Sequence, residues 1–242
     1  CAIKMALGEN PKRVYSDKNQ TPATRMATAA IIREQLYKAK RYYEDVQCAM
    51  ADGEAAEPDY DIKCEAILPV LRGEIPVHIH AHRLDDIFTA VRLAGEFGFS
   101  YILVHATQGY EAAEELAGKQ VKIFSGPLLC DRSKPELGGL TPKSAGILAK
   151  AGVELAIVTD HPVVPVQYLP LCAGLAVREG MEHASALRAI TINPAKLCGI
   201  DDRVGSLAVG KDADLVLFDT DPLELRSKPR LVVAGGKIIK SL

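Results

Sequence analysis

Three of the six histidines fall at alternate positions in one short stretch, "PVHIHAHR", from Pro76 to Arg83; the others are His105, His161 and His183. His105 closes the apolar run "YILVH", and Asp160 closes "ELAIVTD". Neutral imidazole and carboxylate are good ligands for zinc and similar divalent ions. His80, His105 and Asp160 each end a separate apolar run, and together they read as a candidate metal site. The plainer alternative is three hydrogen-bonded residues at strand ends.

Alternation sorts the first cluster. Along a strand His78 and His80 point to one side, and Val77 and Ile79 to the other. If Val77 and Ile79 face helices, both histidines face away from them. His80 lies nearer the strand's C-terminal end and is the better ligand. His78 sits about 6 to 7 Å deeper, either behind the ligands or in the core. His82 lies beyond the strand, facing substrate or only solvent.

These side chains need strands to position them, and the middle of the chain supplies strand and helix signals in turn. Pro76 to His80 reads as a short strand led in by proline. Leu84 to Phe97 reads as a helix, with Leu84, Ile87, Phe88, Val91 and Ala94 at helical spacing. Asp85 and Asp86 suit its first turn, and Gly98 its end. Tyr101 to His105 reads as a strand buried on both faces. Then come a helix over Tyr110 to Ala117, the strand "VKIFSG", a helix over Pro142 to Ala151 and a strand over Glu154 to Asp160. The period of about 25 to 30 residues is that of a parallel sheet with crossover helices. If such a sheet closes into a barrel, its C-terminal rim is where catalytic side chains converge.

Ahead of this region lie a long helix from about Ala23 to Ala49 and a shorter one from about Tyr60 to Leu71. The acidic stretch "ADGEAAEPD" between them reads as a surface loop. Ala2 to Leu7 already reads as a buried strand, so the expectation is that an N-terminal portion precedes this sequence. After Asp160 the pattern is helical to about Cys198. It then turns to short β-rich runs split by Gly, Asp and Pro, a small β unit.

Composition narrows the function. Net charge is −2 with no basic block, which gives no footing for nucleic acid or an anionic membrane. No apolar run reaches the roughly 18 residues of a membrane span, and no secretory signal opens the sequence. The six cysteines are scattered without a Cys-x-x-Cys pair. The expectation is reduced thiols in a cytoplasmic protein.

Together "VHIHAHR", "ILVHATQG", "IVTDHP" and "TINPAKLCGIDDRVGSLAVGKDADLVLFD" resemble the amidohydrolase superfamily. The similarity runs from about Lys4 to Ile239 and is greatest to the imidazolonepropionase-related branch, which includes metal-dependent dipeptidases. It implies an α/β fold: a (β/α)8 barrel of amidohydrolase type, represented in part by strands 4 to 8, with the C-terminal part of a small β-sandwich. Residues 1–200 would form the barrel portion, and 201–242 the sandwich strands. The superfamily's His-x-His on strand 1 has no counterpart here, so strands 1 to 3 are expected in the N-terminal part of the same protein.

The resemblance implies zinc or another divalent metal, as one or two ions. His80 matches the ligand on strand 5, His105 that on strand 6 and Asp160 the aspartate on strand 8. Lys4 lies near the position of a carboxylated lysine on strand 4, and Glu9 competes with it as a bridging carboxylate. The ion lowers the pKa of water from 15.7 towards about 7, and Asp160 acts as general base and then general acid. His161 is either a hydrogen-bonding partner of substrate or a loop residue before Pro162. The implied reaction is hydrolysis of a C–N bond in a cyclic amide, amidine or dipeptide, with a small-molecule substrate.

Heterocycle deamination is one alternative; "HAHRLDD" has Leu84 and Asp85 where deaminases of the superfamily carry glutamate. A catalytically incomplete fragment or subunit is another, and a homo-oligomer stays open. Gly205, Gly210, Gly235, Gly236, Lys211 and Asp212 read as turn residues. Thr24 and Arg25 read as a helix cap, or else as facing substrate. Cys130 reads as a rim residue.

Overall fold

The structure is a computed structural model describing residues 1–52 and 56–241; part of the expected acidic surface loop lies outside the described residues. The chain divides into two compact units, Cys1–Leu103 and Val104–Leu242.

The first unit begins with β1 (Ile3–Ala6), α1 (Glu9–Ser16), α2 (Arg25–Ala51) and α3 (Ile62–Leu71). It continues with β2 (Val77–Ala81), α4 (Leu84–Phe97) and the first residues of β3 (Tyr101–His105), the strand in which the division falls. β1 pairs in parallel with β2, Lys4 opposite His78 and Ala6 opposite His80. The Leu7 amide extends the ladder to the His80 carbonyl at 2.9 Å. Val77, Ile79 and Ala81 are buried, as β2 requires on its helix-facing side.

Helix ends follow their chemistry. Thr24 caps α2, its hydroxyl accepting from the Ala27 amide at 3.0 Å. Asp61 caps α3 by accepting from the amides of Lys63 and Cys64. Gly98 ends α4 in the left-handed region at φ 72°. The α4 stripe differs from the expected one: Ile87, Ala90, Leu93 and Ala94 are buried, while Leu84, Phe88 and Val91 are half-buried. Asp86 turns inward with them because Arg25 meets its carboxylate at 3.0 Å. Small Ala90, rather than bulky Phe88, then lies on the packed face.

The second unit takes up β3 at Val104 and holds α5 (Ala113–Gly118), β4 (Lys122–Ser125), α6 (Ser144–Lys150) and β5 (Glu154–Ile157). β4 lies between β3 and β5, and pairs in parallel with β5 from Lys122–Glu154 to Ser125–Ile157. The expected helix over Tyr110–Ala117 is a 3-10 turn (Gly109–Ala112) leading into α5. β5 stops at Ile157, short of the expected Asp160, where the backbone turns left-handed.

Helices α7 (Leu169–Arg178), α8 (His183–Ala189) and α9 (Ile192–Leu197) pack beside β5. The Asn193 amide donates to the Leu155 carbonyl at 2.9 Å. The chain ends in an antiparallel sheet of β6 (Leu215–Phe218), β7 (Pro229–Ala234) and β8 (Lys237–Ser241). Lys211 donates to the carbonyls of Asp201 and Val204, and Asp212 pairs with Arg203 at 2.7 Å, which fixes the turn expected there. Among the described residues no helix is long and apolar enough to cross a membrane.

Candidate functional site

In the first unit the candidate residues gather at the C-terminal end of β2. The burial of Val77 and Ile79 leaves His78 and His80 on the opposite side of the strand. His78 is half-buried, and its pKa is pushed down by burial, with the Lys4 charge adding to the effect. His80 is buried, its Nε2 3.4 Å from the Asn10 amide nitrogen. His82, expected to face substrate or solvent, is instead only 3 % exposed. Its ring stands edge-on to that of His80, centroids 4.7 Å apart. One ring nitrogen of each lies within 4.8 Å of the other, close enough for both to serve one ion.

Lys4 and Glu9 are placed differently. Lys4 is exposed, two ladder pairs deeper than Ala6 and on the side of the sheet that carries His78 and His80. Glu9 opens α1 and meets Lys12 and Arg25, each at 3.0 Å. The Lys12 hydrogen bond, then the charges of Lys12 and Arg25, hold its carboxyl below the ordinary range against the opposing effect of burial. Arg25 thus bridges Glu9 and the buried Asp86, while Thr24 does the capping. Asp85, at the position that bears on deamination, is held by Arg83 at 2.9 Å.

In the second unit the residues lie at the ends of β3 and β5. His105 is buried, and its Nδ1 is 2.6 Å from the Gly126 carbonyl oxygen. A carbonyl only accepts, so Nδ1 carries the proton and Nε2 the ring's lone pair. That form makes Nε2 the nitrogen able to bind a metal. The backbone is left-handed at His105 (φ 76°), at Ala106 (φ 46°) and again at Asp160 (φ 52°). Such conformations are costly for residues other than glycine and gather at functional sites.

Asp160 is exposed, as is His161, whose Nδ1 accepts from the Val166 amide at 3.3 Å. In the neutral ring the proton is then on Nε2. Cys130 is half-buried after β4; burial pushes its thiol pKa up, and the charges of Asp131 and Asp160 push it further. A thiol so shifted is a poor nucleophile.

The candidates are therefore not equivalent. His80 and His82 come together, and His105 acquires a partner that fixes its ring. Three contributors escaped the sequence reading: the burial of His82, the Gly126 carbonyl and the Arg25–Asp86 pair. The glycine that closes "VKIFSG" was the available signal for the second.

The family model described as "Amidohydrolase family" matches residues 20–240, and the chain belongs to that family. A solved structure of an amidohydrolase from Thermotoga maritima MSB8 is 42 % identical, with a TM-score of 0.94 over 100 % of this chain and 63 % of its own. That match shows the α/β barrel of amidohydrolase type, represented here in part. Amidohydrolase tasK of Hapsidospora irregularis is 28 % identical over 97 % of this chain and 25 % of its own length. Imidazolonepropionase of Maricaulis maris (strain MCS10) is 29 % identical over 84 % of this chain and 54 % of its own. The chain thus spans a quarter to about half of these curated relatives. Names among the other curated relatives include a deaminase as well as further imidazolonepropionases.

Proposed function

We propose that the protein carrying this chain is a metal-dependent hydrolase of C–N bonds in a cyclic amide, an amidine or a dipeptide. The observation that carries the reading is His105: a buried imidazole at a strand end, in a left-handed backbone, with its lone pair directed to Nε2. Membership of the amidohydrolase family gives that arrangement its chemical context.

The proposed ligands are His80, His105 and Asp160. His82, buried beside His80, is a further donor. Lys4 and Glu9 are the candidates for bridging a second ion. These donors are the imidazoles and carboxylates that zinc or another borderline divalent ion takes. A bound divalent ion would supply acidified water and a polarised carbonyl.

The remaining steps belong to side chains. Asp160 takes the proton of the attacking water and returns it to the leaving nitrogen. His161, with Nδ1 occupied by the Val166 amide, offers Nε2–H to the substrate oxygen. The substrate is a small molecule. The six thiols, all free in the structure, suit a cytoplasmic location.

The test is hydrolysis by the intact protein of a panel of dipeptides, cyclic amides and amidines, before and after chelation. Activity lost to chelator and restored by zinc supports the reading. Ammonia released from amino-heterocycles, with the panel untouched, would point to a deaminase. No turnover of either kind would favour a non-enzymatic subunit.

A further inference from the structure

We infer that Gly126 is the positioning residue for His105: its carbonyl holds the ring in the Nδ1–H tautomer and leaves Nε2 as the ligand atom. The inference rests on the proposal that His105 binds the ion, and it names what prepares the ring.

The geometry belongs to the second unit alone. Gly126 is buried at the end of β4, with φ 138°, a conformation that side-chain-bearing residues rarely adopt. A Cβ there would stand 2.1 Å from the Val158 carbonyl oxygen. Val158 cannot give way cheaply, since its amide donates to the Ser125 carbonyl at 2.9 Å, continuing the β4–β5 ladder. Any side chain at position 126 must therefore move the Gly126 peptide, whose oxygen is the acceptor 2.6 Å from His105 Nδ1. Glycine is required here for close approach of two backbones, and the result is a carbonyl in the one place that selects a tautomer. Partners of this kind typically change metal affinity by about 10- to 100-fold.

Nitrogen-15 NMR of the histidine-labelled, metal-free intact protein tests this, with His105 assigned from a His105→Gln variant. The expected wild-type signal is the Nδ1–H tautomer. Gly126→Ala should mix the tautomers and weaken binding of zinc alone by about 10- to 100-fold. Should Gly126→Ala not fold, the wild-type spectrum still decides: an Nε2–H ring at His105 overturns the inference. So does a folded Gly126→Ala protein with unchanged tautomer and zinc affinity. Unchanged zinc binding in His105→Gln, with the Nδ1–H tautomer present in wild type, supports the tautomer assignment and contradicts the ligand reading alone.

Discussion

His105 and Asp160 share a left-handed backbone, φ 76° and 52°, the first closing β3 and the second three residues beyond β5, the two strands that flank β4. Residue types that suggest metal chemistry thus coincide with conformations that cost of order 1 to 3 kcal/mol each.

If Asp160 moves the proton, Asp160→Asn keeps the carbonyl oxygen but loses the base. The variant should fold normally by circular dichroism while kcat falls about 10²- to 10⁴-fold. Near wild-type turnover by a metal-loaded Asp160→Asn protein would remove Asp160 from the chemistry.

The proposed imidazole ligands are separable from the proposed base by metal content. His80→Ala and His105→Ala should each retain a small fraction of wild-type zinc after dialysis, measured by elemental analysis. Wild-type stoichiometry in either variant would strike that residue from the ligand set.

Arg25 makes a stability prediction independent of any metal. Its guanidinium meets Asp86, whose side chain is only 4 % exposed. Arg25→Met leaves a buried carboxylate without this partner. Breaking a fully buried pair costs 3–5 kcal/mol; with Arg25 itself partly exposed, about 2–3 kcal/mol is expected. Urea unfolding should show a lower midpoint at unchanged slope, and Arg25→Met, Asp86→Leu should recover part of the loss. An unchanged midpoint in the single variant would show that the pair is unimportant to stability.

Asp61 sets an acid limit. Lys38, at 2.6 Å, first of all, and then the Cys64 and Lys63 amides draw its pKa down to about 2. Because the folded value lies below the unfolded one, the stabilisation is complete above the unfolded pKa of about 3.9. It is lost as pH falls through about 2. Asp61→Asn should flatten stability against pH in that window and leave the slope above pH 5 unaltered; identical acid-unfolding curves would contradict this.

The strands could be read from the sequence because apolar runs are local signals, and His105 does close β3, but β5 stops at Ile157, three residues before Asp160. The α4 stripe was expected from helical spacing of bulky side chains, and local spacing did not reveal that Asp86 would be buried against Arg25, 61 residues away. His82 looked exposed because it follows the strand, yet it packs edge-on to His80. The glycine closing "VKIFSG" marked a special backbone position, but residue type alone did not show that its carbonyl oxygen would meet His105. Nothing local announced that Val158 would exclude a side chain there.

The central claim, that these side chains hold a divalent ion, is tested most directly by anomalous diffraction at the zinc edge from crystals of the intact, zinc-loaded protein. The account predicts an anomalous peak about 2.0–2.1 Å from His105 Nε2, with Nδ1 still facing the Gly126 carbonyl. A peak bonded to Nδ1, or no peak within bonding distance of His80, His105 or Asp160, would contradict it.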